Sequence, residues 1–316
     1  MKNACSLAQR LIGLAAAALL AACGGGGDDP APASADSKAA AAAEDGRKQA
    51  KAVFVPTNIP ADANSRGMWS PVYPWPLIPL HLVMLPDFKL MSYGTDGTGR
   101  QTGKFIYDVW DPELGLAGGH TTINKDALAD IFCSSQLVLP GTGQVFVAGG
   151  DNWTGTGTTN TGNANSNVFT PGTSTLAAGN NMNRARWYST STTLLNGETH
   201  VQGGSGGTDR PEVRETNGTF RLLSGANTSS LDFMYPRNFI ASDGRVFGYD
   251  SAGRMYYIDA SGTGSFTSMG QFNSAYGGSD ASAAMFRPGR ILQFGGNSNG
   301  AAVIDIRGGA PTFTPT

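Results

Sequence analysis

The chain of 316 residues is poor in charge, in histidine and in cysteine, and each shortage excludes something. Charged residues make up only 15%, and Lys+Arg 22 against Asp+Glu 24 leaves a formal net charge of −2. No broad basic surface is available for a phosphate backbone, so nucleic acid is not an expected partner. Only three cysteines and three histidines occur, with no Cys-x-x-Cys pair for zinc. Apart from one stretch at the N-terminus there is no long apolar run, which excludes a polytopic helical membrane protein. Gly94-Thr-Asp-Gly-Thr-Gly lacks the spacing and the following helix of a dinucleotide loop, and no Gly-Lys-Ser/Thr phosphate loop occurs. Gly204-Ser205-Gly206 reads as a turn between strands, not as a nucleophile elbow. What is abundant is glycine, 44 residues, alongside 40% hydrophobic residues. That composition suits a folded, mostly β chain with a substantial core.

Residues 1–22 place Lys2 and Arg10 before the apolar stretch Leu11 to Leu20 and then small residues, the order of an export signal. Leu20-Ala21-Ala22-Cys23 resembles the bacterial lipobox, which implies lipidation of Cys23 and a lipoprotein held at the periplasm or cell surface. A plain secretory peptide cleaved near the same place is the alternative, and both imply export. Residues 23–52 are Gly, Ala, Ser, Pro and charge without apolar periodicity, a tether that cannot bury enough surface to order itself. Contact with a membrane is expected only through the lipid anchor. The folded part is then 53–316, and within it Cys133 is the single cysteine, either a buried inert thiol or a reactive one.

A unit recurs five times: an apolar strand, a turn with Gly or Asn, and a second strand ending at glycine. Gly94, Gly150, Gly204, Gly248 and Gly296 mark the ends, at steps of 56, 54, 44 and 48 residues. A strand-rich period of about 50 residues with paired glycines predicts kelch-type propeller blades. A third strand follows most markers, as in Phe105-Ile-Tyr-Asp-Val-Trp and Met255-Tyr-Tyr-Ile-Asp. An open β-solenoid or a sandwich of unequal strands is the alternative. The fold class expected is all-β, an incomplete propeller with about five of seven blades.

Particular stretches resemble the kelch-propeller radical copper oxidases, the galactose oxidase and glyoxal oxidase family, and most of all its bacterial members. They are Asp130-Ile-Phe-Cys-Ser134, Asn183-Arg-Ala-Arg-Trp-Tyr-Ser-Thr190, Tyr235-Pro-Arg-Asn-Phe239 and Arg287-Pro-Gly-Arg-Ile-Leu-Gln-Phe-Gly-Gly296. The resemblance implies a thioether between Cys133 and Tyr188, with the modified tyrosine binding copper and storing a radical. It implies oxidation of a small aldehyde or primary alcohol by O2 to give H2O2. The phase of the repeat agrees, because Cys133 lies 17 residues before Gly150 and Tyr188 lies 16 before Gly204. Equivalent stations on successive blades come close together around the axis.

The family pattern also breaks. A late Tyr-His pair and a C-terminal histidine have no counterpart, and the chain holds only His81, His120 and His200. His81 is expected to pack in the first strand, His120 to lie in a mobile loop after Gly118-Gly119, and His200 to stand in mid-strand. The tryptophan that the galactose-oxidising members stack over the thioether is replaced by Ser205-Gly206-Gly207, with Trp153 as a substitute from the preceding blade. The expectation is therefore a truncated or split oxidase with a missing C-terminal half. A non-catalytic, lipid-anchored propeller that binds a cell-wall glycan or protein is the alternative.

Overall fold

A computed structural model describes residues 58–126, 130–153 and 157–316. The expected signal peptide, Cys23 and the tether lie outside the described residues. Strands dominate, the one α-helix among the described residues being the short Ala63–Arg66. No helix among them is long and apolar enough to cross a membrane.

The strands form a β-propeller of five four-stranded antiparallel blades. Blade 1 is β1 (Leu77–Met84), β2 (Leu90–Asp96), β3 (Lys104–Trp110) and β4 (His120–Asp126). Blade 2 is β5 (Ser135–Val138) and β6 (Val145–Ala148), then β9 (Ser166–Thr170) and β10 (Thr175–Ala178). The two-stranded hairpin of β7 (Asp151–Trp153) and β8 (Thr158–Gly162) interrupts it. Blade 3 is β11 (Trp187–Thr193), β12 (Thr199–Ser205), β13 (Glu212–Arg214) and β14 (Phe220–Leu222). Blade 4 is β15 (Arg237–Ile240), β16 (Val246–Tyr249), β17 (Arg254–Asp259) and β18 (Ser265–Gln271). Blade 5 is β19 (Ser282–Arg287), β20 (Arg290–Phe294), β21 (Ala301–Asp305) and β22 (Thr312–Pro315). The repeat markers close the second strand of each blade, as the sequence predicts. Every blade also has a fourth strand, which the repeat did not reveal.

The second strands of blades 2 and 4, β6 and β16, carry only aliphatic and aromatic side chains and are buried on both sides along their whole length. In β6, Val145 and Val147 turn toward blade 1 and pack with Met91, Tyr93 and Val109. Phe146 and Ala148 turn the other way and meet Met182 and Val201 of blade 3. Blade 4 repeats the device: Tyr256 and Ile258 join Val213 and Leu223, while Tyr257 and Phe247 join Ile291 and Ile304 of blade 5. Four interblade cores thus tie five blades in a row, each large side chain buried in them contributing roughly 1.5–3 kcal/mol. The two end blades keep apolar side chains uncovered among the described residues. On β1, Leu82 and Met84 are exposed while Val83 between them packs on blade 2, and on blade 5 Phe286 and Phe294 are exposed.

The first strands lie innermost, with β11 against both β5 and β15. Side chains at their starts therefore converge from neighbouring blades at one end of the propeller.

Candidate active site

Cys133, Tyr188 and Tyr235 occupy the convergence point, one from each of blades 2, 3 and 4. Each precedes or opens a first strand, and each has positive φ: 56° for Cys133, 71° for Tyr188 and 42° for Tyr235. Such a conformation costs an ordinary L-residue energy and persists only where the surroundings enforce it. Backbone bonds supply the enforcement. Tyr188 N–H donates to the Cys133 carbonyl at 2.9 Å, and Tyr235 N–H donates to the Tyr188 carbonyl at 2.8 Å. Close approach of the glycine pairs completes the frame. Gly150 and Gly204 donate to the Arg186 and Phe233 carbonyls, both at 2.8 Å. A Cβ on Gly150 would stand 2.1 Å from the Asp130 carbonyl oxygen.

Local sequence prepares two of the turns in the same way. Asp130 accepts from Phe132 N–H at 2.9 Å, and Asp232 accepts from Met234 N–H at 3.2 Å, aspartate turns three residues before Cys133 and Tyr235. The third turn is held from its side chain. Arg186, fully buried, donates from Nε and Nη2 to Glu212 Oε1 at 3.0 and 2.8 Å. It also donates to the carbonyls of Gly203, Gly207 and Arg210. Glu212 accepts in addition from Asn183 N–H at 2.7 Å, so both ends of the Asn183-to-Tyr188 motif hang on one carboxylate.

The Tyr188 and Tyr235 side chains are both near enough to the Cys133 thiol to influence its protonation. The structure brings the expected pair to the same end of adjacent first strands, and a second tyrosine that sequence reasoning treated only as a blade marker stands beside Tyr188. Its signal was present as Asp232-Phe-Met-Tyr235, parallel to Asp130-Ile-Phe-Cys133. The two phenol rings stand edge to face, 5.2 Å between centroids at 81°. Trp187 lies over Tyr188 at 4.2 Å with a 35° tilt. Trp153, the expected substitute for the missing shield, instead packs on Gly103, where a Cβ would meet its ring at 2.0 Å. Tyr93 approaches from blade 1, its hydroxyl 2.9 Å from Ser134 Oγ and donating to Gln136 Oε1 at 2.8 Å. A cleft of 410 Å³ opens beside Tyr235, lined by Thr190, Arg237, Asn238 and Ser279. The larger cavity, 820 Å³ around Leu195, Met285 and Phe286, lies at the opposite ends of the first strands and away from this chemistry.

Burial sets the protonation of the group. It pushes the Cys133 thiol up to about 11, the neighbouring Tyr235 and Tyr188 hydroxyls pull it down, and the nearby Asp130 and Asp151 carboxylates push it further up. Burial, then the neighbouring sulfur and Asp151, raise Tyr188 to about 12, and Tyr235 is raised further still by burial first. Asp130 itself is raised to about 6, mainly by burial. At neutral pH the sulfur is a thiol and the phenols are neutral, so Cys133 is a slow nucleophile in the folded chain.

The three histidines lie elsewhere. His81 stacks on Tyr93 at 4.6 Å and 17°. His120 is no loop residue: it opens β4, its Nδ1 2.7 Å from Asp108 Oδ2, with Trp75 edge-on at 4.6 Å. Pairing of β4 with β3 overrides the flexibility that the two preceding glycines suggested. His200 is buried within blade 3 between Thr192 and Val213. Among the described residues no group of three or more His, Cys, Asp or Glu could hold a metal ion. Two phenol oxygens and a sulfur match the anionic part of a Cu(II) site, but no imidazole accompanies them, so these residues do not compose a copper site by themselves.

No family model matches the chain. A galactose oxidase of Gibberella zeae is 27% identical over 277 residues, which cover 78% of this chain and 38% of the relative. A second galactose oxidase sequence from Gibberella zeae gives the same figures. The chain is similar to galactose oxidases. It spans only 38% of the length of these curated relatives. Among solved structures, a fungal alcohol oxidase of the AA5 family, in complex with copper, superposes with a TM-score of 0.66 at 22% identity. The match covers 78% of this chain and 55% of that one, and it shows the shared fold.

Proposed function

We propose that the chain is the cofactor-bearing part of an oxidase-like protein related to the radical copper oxidases. Cys133 and Tyr188 become joined by a thioether, and the substrate is a small aldehyde or primary alcohol oxidised by O2 with release of H2O2. The observation that carries this reading is that Cys133 and Tyr188, on adjacent blades, are tied by the hydrogen bond from Tyr188 N–H to the Cys133 carbonyl at 2.9 Å, with each side chain near enough to shift the other's protonation. Similarity to galactose oxidases supports the reaction class. Tyr188 would supply an oxygen donor to copper. The substrate would enter from the end of the propeller at which the first strands begin. Export and lipid anchoring at Cys23, read from the sequence, would put this chemistry outside the cytoplasm.

Intact-mass measurement after exposure to a cupric salt and air tests the pairing. The expected result is loss of two hydrogens, with no alkylation of Cys133 once the protein is unfolded, since the native thiol is too protonated to report. Quantitative alkylation in denaturant after that exposure would leave a non-catalytic, anchored propeller as the better description.

A further inference from the structure

At the far end of the first strands from Cys133, blades 4 and 5 part around the cavity of 820 Å³. The turn after β15, the turn between β19 and β20 and the end of β21 surround it. Its walls are Ile240, Ala241, Met285 and Ile306, side chains that also pack in the neighbouring interblade cores. Leu195 of blade 3 and Phe286 form the lip, 77% and 48% exposed. A concave space of this size with aliphatic walls suits the apolar body of a small ligand.

The rim is cationic. Arg287 and Arg307 line it, and Arg290 lies over the Phe286 ring, 5.5 Å from its centroid. A single carboxylate faces the three: Asp305 meets Arg307 at 2.6 Å and Arg290 at 3.8 Å. Arg287 has no acidic partner among the described residues. Asp243, next to the lining residue Ser242, is already matched by Arg245 at 2.7 Å. Three guanidinium groups against one carboxylate leave a local positive excess in a chain whose formal charge is −2. Gly289 makes room for one of them, because a Cβ there would stand 2.6 Å from Arg307 Cγ. Apolar walls beneath a cationic rim are complementary to an anionic head on an apolar tail.

We propose that this cavity binds a free medium-chain fatty acid, with the tail between Ile240, Met285 and Ile306 and the carboxylate on Arg287. The planar fork of an arginine holds a carboxylate through two parallel hydrogen bonds. A cationic head on the same tail would meet like charge. The site is remote from Cys133 and independent of the copper chemistry.

Isothermal titration calorimetry of the full chain tests the assignment, with octanoate, decanoate and decyltrimethylammonium below their micelle concentrations. Decanoate is expected to saturate one site and to bind about tenfold more tightly than octanoate, because two further CH2 groups leave water. Decyltrimethylammonium is expected to bind about tenfold more weakly than decanoate, or worse. Arg287→Glu changes an exposed side chain outside the blade cores and is expected to weaken decanoate about tenfold while erasing the preference for the anion. Ser242→Trp, also at an exposed position, places an indole in the mouth and is expected to abolish saturable binding. Three results overturn the proposal: no saturable decanoate binding, equal affinity for the two head groups, or unchanged binding in either folded variant. Unchanged binding would put the tail on the uncovered side chains of the end blades instead. Should Ser242→Trp not give folded protein, Arg287→Glu decides.

Discussion

Replacing Arg186 with methionine is expected to lower the unfolding free energy by about 3–5 kcal/mol, read as a large drop in the urea midpoint. Arg186 and Glu212 are both fully buried, and removal of the cation leaves a carboxylate without its partner where water cannot reach it. Three backbone carbonyls lose a donor in the same step, those of Gly203, Gly207 and Arg210. The neighbouring pair is the internal control. Arg184 and Asp209 meet at 3.3 Å with side chains 37% and 46% exposed. Solvent and salt screen such a contact, so Arg184→Ala is expected to cost no more than about 1 kcal/mol. Equal costs for the two substitutions would show that Arg186 is not the clamp of the Tyr188 turn.

The second large effect is acid sensitivity. Burial first, and the charge of Arg186 second, lower the His200 imidazole to about 3, and its ring nitrogens have no hydrogen-bond partner. In the unfolded chain the same group takes a proton near 6.5. Because the folded state resists protonation, the stability contributed by neutral His200 is fully present above 6.5. It is lost progressively as pH falls toward about 3, at about 1.4 kcal/mol per unit, or roughly 5 kcal/mol over the whole window. His81, lowered to about 4 by burial with a Gln136 hydrogen bond opposing, adds to the loss. Asp130 works in the opposite direction. Raised to about 6, it binds its proton sooner in the folded state and restores stability as pH falls from 6 to 3.8. Denaturation midpoints between pH 7 and pH 4 should therefore fall in wild type and fall much less in His200→Leu. Parallel curves for the two proteins would show that this imidazole is hydrated in the folded state.

Blade architecture was legible because strands buried on both faces cannot hide: Val145-Phe-Val-Ala148 and Val246-Phe-Gly-Tyr249 are unbroken apolar runs closed by glycine or an aromatic. The fourth strands escaped notice because they face solvent. β18 alternates weakly and is mostly exposed, so its sequence, Ser-Phe-Thr-Ser-Met-Gly-Gln, carries little of the usual period. That Cys133 and Tyr188 start adjacent first strands was legible from their nearly equal distances, 17 and 16 residues, to their glycine markers. Tyr235 was hidden by a shorter hairpin, which puts it only 13 residues before Gly248 and out of phase with the other two. Trp187 was hidden by the alternation rule. Successive strand residues point to opposite faces, but the positive φ at Tyr188 breaks the alternation and lets the two neighbouring rings meet.

Because Cys133, Tyr188 and Tyr235 hang from one another at strand starts, their spacing does not depend on the excursions around them. The tip of the β7–β8 hairpin, between Trp153 and Thr158, can be lengthened, shortened or exchanged while the three anchor residues keep their places. For an engineer, this end of the propeller is a socket with a fixed floor and replaceable walls, suited to grafting the loops of a relative to change what is admitted.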